Sequence, residues 1–81
     1  MSLIFDIETD GFIKKLTKIH CIVIQDTETK EISKYVTNIE QAITRLENAN
    51  EIIGHNIIGF DIPAIKKIYD FNPKGKITDT L

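Results

Sequence analysis

The 81-residue chain predicts an α/β fold, a mixed sheet built in the order βββ-α-β-α-β. Three observations carry that reading. Residues 3–8 alternate apolar with other side chains at the period of a strand, and two further strand-like runs at 19–24 and 32–36 flank the polar turn "QDTETKE" as a long hairpin. Downstream, stretches with helical spacing alternate with short apolar runs, the pattern of crossover units that set strands parallel. An antiparallel hairpin followed by such units makes a mixed sheet.

Along the first strand, Leu3, Phe5 and Ile7 share one face, and Ile4, Asp6 and Glu8 share the other. The bulky flanking residues predict that the second face is half buried. Thr37 followed by Glu40 has capping-box spacing, and Ile39, Ala42, Ile43 and Leu46 then recur at helical intervals to about Asn48. "EIIGHN" reads as a short buried strand ending at Gly54. Asp61 stands where a helix N-cap belongs, with Pro63 in the first turn, and Ile62, Ile65, Ile68 and Tyr69 carry that helix towards Asp70. "FNPKGK" is a turn signal, and "ITDTL" reads as a last short strand.

At 42% apolar and 27% charged, the composition is that of a globular domain. One domain over residues 1–81 is expected, and a domain of this size buries only roughly 60% of the surface its unfolded chain exposes, so its stability margin is thin. No apolar run approaches the roughly 20 residues of a membrane helix, and no membrane partner is expected. The opening residues lack the pattern of a signal peptide, which predicts a cytoplasmic location. The lone Cys21 excludes an internal disulfide. A net charge of −2 argues against nucleic-acid binding through bulk positive charge, but leaves room for a site in which metal ions supply it.

Asp6 and Glu8 raise the main chemical question. Two like charges on one strand face cost energy unless protons or cations neutralise them, and hard oxygen ligands select Mg²⁺ or Mn²⁺. The plain alternative is an edge strand with a solvated outer face. For Asp61 the ordinary reading is the N-cap, which is compatible with holding a metal-bound water through its other oxygen. His20 and Cys21 are adjacent on a strand and point to opposite faces, so they make no metal pair. The lysines are scattered among acids as solvated surface, although Lys14 and Lys15 follow the first carboxylates closely enough to reach a phosphate.

Together, "DIET" (residues 6–9) and "HNIIGFD" (residues 55–61) resemble the first two motifs of the DEDD superfamily of 3′→5′ exonucleases, Asp-x-Glu and Asn-x-x-x-(Phe/Tyr)-Asp. The chain is most similar to the amino-terminal proofreading domain of phage-type family A DNA polymerases, through "LTKIHCIVI", "GHNIIGFDIPAI" and "DTL" as well. The resemblance implies an RNase H-like fold and a two-metal Mg²⁺ or Mn²⁺ site that releases nucleoside 5′-monophosphates. It makes Asp6, Glu8 and Asp61 the metal ligands and catalytic groups, with Asp6 bridging both ions and Glu8 also meeting the 3′-hydroxyl. Substrate contacts fall to Thr9, Asn56, Ile57 and Phe60, with Ile57 and Phe60 beside the terminal bases. The implied partners are a single-stranded DNA 3′ end and the remainder of a polymerase chain, in the host cytoplasm if the protein is of phage origin.

One departure qualifies the likeness. The family's third motif, Tyr- or His-x-x-x-Asp, supplies a fourth carboxylate and occurs nowhere in this sequence. The chain therefore reads as the first part of an exonuclease domain, truncated before the final helix, with impaired catalysis and an uncovered sheet face that predicts a homo-oligomer. The competing reading is a non-catalytic remnant or interaction module that self-associates or pairs with a partner chain.

Overall fold

Alternation in the first strand decides which side of the sheet is covered. In the computed structural model, which describes residues 1–81, the strands are β1 (Ser2–Thr9), β2 (Ile19–Asp26), β3 (Ile32–Tyr35), β4 (Glu51–Gly54) and β5 (Lys76–Asp79). Helix α1 (Ile39–Asn48) joins β3 to β4, and a π-helical turn (Ile57–Asp61) running into α2 (Ile62–Ile68) joins β4 to β5. The element order is the predicted one, with the π-turn added.

The five strands lie in the order β3-β2-β1-β4-β5. β1 pairs antiparallel with β2 and parallel with β4, and β5 adds parallel to β4. The β2–β3 turn is closed by Asp26, whose carboxylate accepts the amides of Glu28 and Thr29 while Lys30 takes a left-handed φ of 66°.

Leu3, Phe5 and Ile7 point into one cluster with Ile22, Ile24 and Ile52 from the sheet, Ala42, Ile43 and Leu46 from α1, and Ala64 and Ile65 from α2. Arg45 of α1 reaches back to donate to the hydroxyls of Ser33 and Tyr35 on β3. With both helices contributing to this one cluster, the opposite face is left uncovered. Ile4 is 40% exposed, and Asp6 and Glu8 are exposed as well. The half-buried environment expected for that face is therefore replaced by an open one. Register places Val23 of β2 and Ile53 of β4 beside Asp6 and Ile4, with Ile32 farther out on β3. Glu51 bridges the same face by accepting from Ser2 and Thr78.

Two local expectations are corrected. Helix α1 starts after Asn38 rather than Thr37, and no side chain caps it; the Asn38 amide group turns to Gln41 instead. Helix α2 ends at Ile68, because Tyr69 is extended and only its amide closes the last turn, onto the Ile65 carbonyl.

Candidate functional site

β1 outruns β4. Their parallel pairing spans only Ser2 to Ile4, so beyond Ile4 the β4-side edge of β1 has no strand partner. Asp6 and Glu8 lie on this projecting end, and Asp61 arrives beside it.

The π-turn brings it there. Asn56 opens the segment in the left-handed region, φ 57°, which Asn tolerates better than most residues. The amide of Phe60 bonds the Asn56 carbonyl, and the amide of Ile62 spans the wider interval to the Ile57 carbonyl. Pro63 has no amide to offer Gly59, so an ordinary α-helical bond is missing where the turn widens. Asp61 is consequently not the N-cap expected from sequence. Its backbone is helical, φ −60° and ψ −47°, and its side chain makes no cap bond.

Asp61 is instead turned inward, only 5% exposed, and its Oδ2 is buried with no hydrogen-bond partner. Burial pushes its carboxyl up to about 6, helped by the negative charge of Asp6 and, less, of Asp79, while the backbone amides of Ile7 and of Asp61 itself oppose the rise. The Asp6 carboxylate is thus near enough to Asp61 to raise its carboxyl. Glu8 lies one pleat farther along the same face. No three His, Cys, Asp or Glu side chains are drawn close enough to form a ready-made metal cage.

Other residues singled out from sequence take different places. Ile57 is fully buried in the core and presents no surface to a ligand, the plain consequence of its position at the base of the π-turn. Phe60 is half buried and lines a hollow with Phe12, Ile13, Lys14 and Lys15. The Thr9 hydroxyl is engaged locally, donating to the Gly11 carbonyl at 2.7 Å. Asn56 gives its amide to Asp79. His20 falls at a register shift between β1 and β2 and is exposed, whereas its neighbour Cys21 is buried.

Two residues near the site escaped the sequence reading, and the part played by a third was not foreseen. Phe12 is 84% exposed at the mouth of the hollow; an aromatic following "TDG" in a turn was the available signal. Asp10 ties down the loop that carries Phe12, accepting from the Thr17 hydroxyl and from the amides of Thr17 and Lys18, which hold its carboxyl down to about 2. Asp79, noticed in the sequence only as the start of "DTL", does the same for the loop before the π-turn.

A family model described as the RNase_H superfamily matches residues 3–80. The chain belongs to the RNase H superfamily. No curated protein matches it. Members of the RNase H superfamily generally use divalent metals, and the donor set here fits such an ion in one specific respect: a buried carboxylate oxygen without a partner, in the field of a second carboxylate. All these donors are hard oxygens, the type that Mg²⁺ and Mn²⁺ select.

Proposed function

We propose that this RNase H superfamily domain is the amino-terminal part of a 3′→5′ exonuclease of the DNA-polymerase proofreading type, acting on single-stranded DNA 3′ ends. The observation that carries the proposal is the unpartnered, buried Oδ2 of Asp61 held against the field of Asp6. A carboxylate kept in that state is costly, and a cation would relieve both the desolvation and the repulsion.

When bound, a divalent ion would supply charge neutralisation and a water of lowered pKa for attack on a phosphodiester. Asp6, Glu8 and Asp61 would hold it, and Glu8, farther along the same face, would also meet the 3′-hydroxyl. Phe12 and Phe60 flank a hollow wide enough to take an unpaired base, where stacking is tolerant of sequence. Lys14 and Lys15, which line that hollow, would meet backbone phosphate.

The 81-residue chain is expected to bind Mn²⁺ weakly and to degrade a labelled single-stranded oligonucleotide poorly, since it carries no fourth carboxylate of the Tyr- or His-x-x-x-Asp kind. Loss of one metal-holding or charge-stabilising group commonly costs about 10²-fold or more in rate. Incubation with Mn²⁺ beside an Asp6→Ala control measures both properties. Mn²⁺ binding that is indifferent to Asp6 would end the proposal. Rapid Asp6-dependent release of mononucleotides would show that three carboxylates suffice.

The open sheet face favours a second reading, an interaction module. Ile4, Val23, Ile53 and Ile32 form an apolar strip on a face that no helix covers, and contiguous apolar surface of this kind marks association sites. The expected outcome is a concentration-dependent dimer by sedimentation, weakened by Ile4→Lys. A well-folded monomer across a wide concentration range would remove self-association, leaving only pairing with a partner chain.

A further inference from the structure

The loop between β4 and the π-turn is held from outside by one side chain. Asp79 Oδ1 accepts the amide of Asn56 at 2.8 Å and that of Leu81 at 2.9 Å, and Oδ2 accepts the amide of Ile58 at 2.9 Å. These bonds keep its carboxyl below the usual carboxylate range, with the positive field of His55 adding to them. Thr80 closes the other side, its amide donating to the Gly54 carbonyl at 2.9 Å and its hydroxyl lying 3.4 Å from His55 Nδ1. Space inside the loop is tight, since a Cβ on Gly59 would come within 2.5 Å of Asn56 Oδ1.

We infer that Asp79 is a positioning residue: by gripping the amides of Asn56 and Ile58 it fixes the start of the π-turn, and so sets where Asp61 is delivered relative to Asp6. The inference rests on the reading of Asp61 as a metal-holding group. Left-handed Asn56 followed by a widened turn is a conformation with little local support. Neither Asn56 nor Asp61 has a side-chain cap bond to hold it there. Two charge-assisted bonds from a strand in the sheet supply that support, each stronger than a neutral hydrogen bond. Asp79 lies on β5, in register with Gly54 of β4, so the grip ties the loop to the rigid part of the molecule. Asp79 itself is not placed as a ligand, because its two oxygens are already spent on the three amides.

Asp79→Glu keeps the charge and changes the reach, whereas Asp79→Asn keeps the reach and loses one acceptor. If Asp79 acted only through its charge on the site, Asp79→Glu would behave as wild type. Amide hydrogen exchange at Asn56 and Ile58, followed by NMR on the whole chain, is expected to speed up at least tenfold in both variants, with β1 and β2 amides unchanged. Mn²⁺ affinity, read by electron paramagnetic resonance, is expected to fall at least tenfold in both. Exchange at wild-type rates in either variant, or wild-type Mn²⁺ affinity in Asp79→Glu with the loop loosened, would overturn the inference. A wild-type chain whose Mn²⁺ binding ignores Asp6→Ala would instead overturn the nuclease reading, and the exchange rates would still decide whether Asp79 holds the loop.

Discussion

Gly75→Ala is expected to dislodge β5 and lower the melting temperature by more than about 10 °C. Gly75 sits in the turn that enters β5, and a Cβ there would fall well under 3.0 Å from the carbonyl oxygens of both Ala49 and Asn50. Those atoms are backbone at the junction of α1 and β4, so no side chain can swing aside. The Asn50 carbonyl also accepts the amide of Lys76 at 2.8 Å, the bond that seats β5 against its neighbour. Relieving the clash therefore means giving up that bond. Overpacking typically costs 1–3 kcal/mol and more where backbone must move, and a domain of this size has only about 4–12 kcal/mol to lose. At roughly 4–8 °C per kcal/mol the shift is large. Thermal unfolding followed by circular dichroism measures it, and a melting temperature within about 5 °C of wild type would show that the α1–β4 junction yields more easily than its geometry implies.

The second large effect concerns Asp61, and it runs towards greater stability. In metal-free protein at pH 7, Asp61→Asn should stabilise the fold by up to roughly 3 kcal/mol, because the amide carries no charge to desolvate or to set against Asp6, the two effects that raise the carboxyl from 3.8 to about 6. The dependence on pH follows from the direction of the shift. Below the ordinary carboxylate value of 3.8 Asp61 is protonated whether the chain is folded or not, and it exacts no penalty. As pH rises towards about 6 the folded chain keeps the proton that the unfolded chain has lost, so stability falls through this window. Above it the full penalty applies. The variant should accordingly gain nothing at pH 3.5 and most at neutral pH, while losing Mn²⁺ binding. Asp10 works in the opposite sense, being depressed to about 2, and its support is lost only in stronger acid. Denaturant titrations of wild type and variant in chelator at several pH values check this, and an Asp61→Asn chain less stable than wild type at pH 7 would contradict it.

Much of the fold was legible because its signals are local. Strand alternation alone separated Leu3, Phe5 and Ile7 from Ile4, Asp6 and Glu8, and helical spacing of Ile39, Ala42, Ile43 and Leu46 located α1. What alternation could not reveal was whether anything covers the second face, since that depends on where both helices pack. The site divided along the same line. Asp6 and Glu8 follow from strand geometry, but Asp61 looked like a helix cap because an Asp before an apolar helix with proline in its first turn is ordinarily one. The π-turn that rotates it inward has no periodic signature of its own, and it depends on a missing proline amide and on a grip from Asp79, a residue 23 positions from Asn56. Tertiary bonds of that reach leave no trace in local pattern. Phe12 was passed over because it follows the first strand's apolar residues closely and nothing local shows that its ring is left in solvent.

The place of β1 in the sheet bears on the order in which the molecule is made. It is the first strand in the chain and the middle strand of the sheet, with β2 and β3 following on one side through short connections and β4 added on the other only when Ser2 meets Glu51. The meander β1-β2-β3 closes small loops, whereas the parallel pair must close one that spans more than half the chain, and entropy makes that the slower event. Asp6 and Glu8 are thus set out early on the open face of the central strand, while Asp61 comes alongside only after β4 has docked and β5 has secured the loop beyond it. A chain caught partway through folding would carry two carboxylates without the third, so pairing of Asp6 with Asp61 is a property of the finished sheet and of no intermediate that lacks its parallel half.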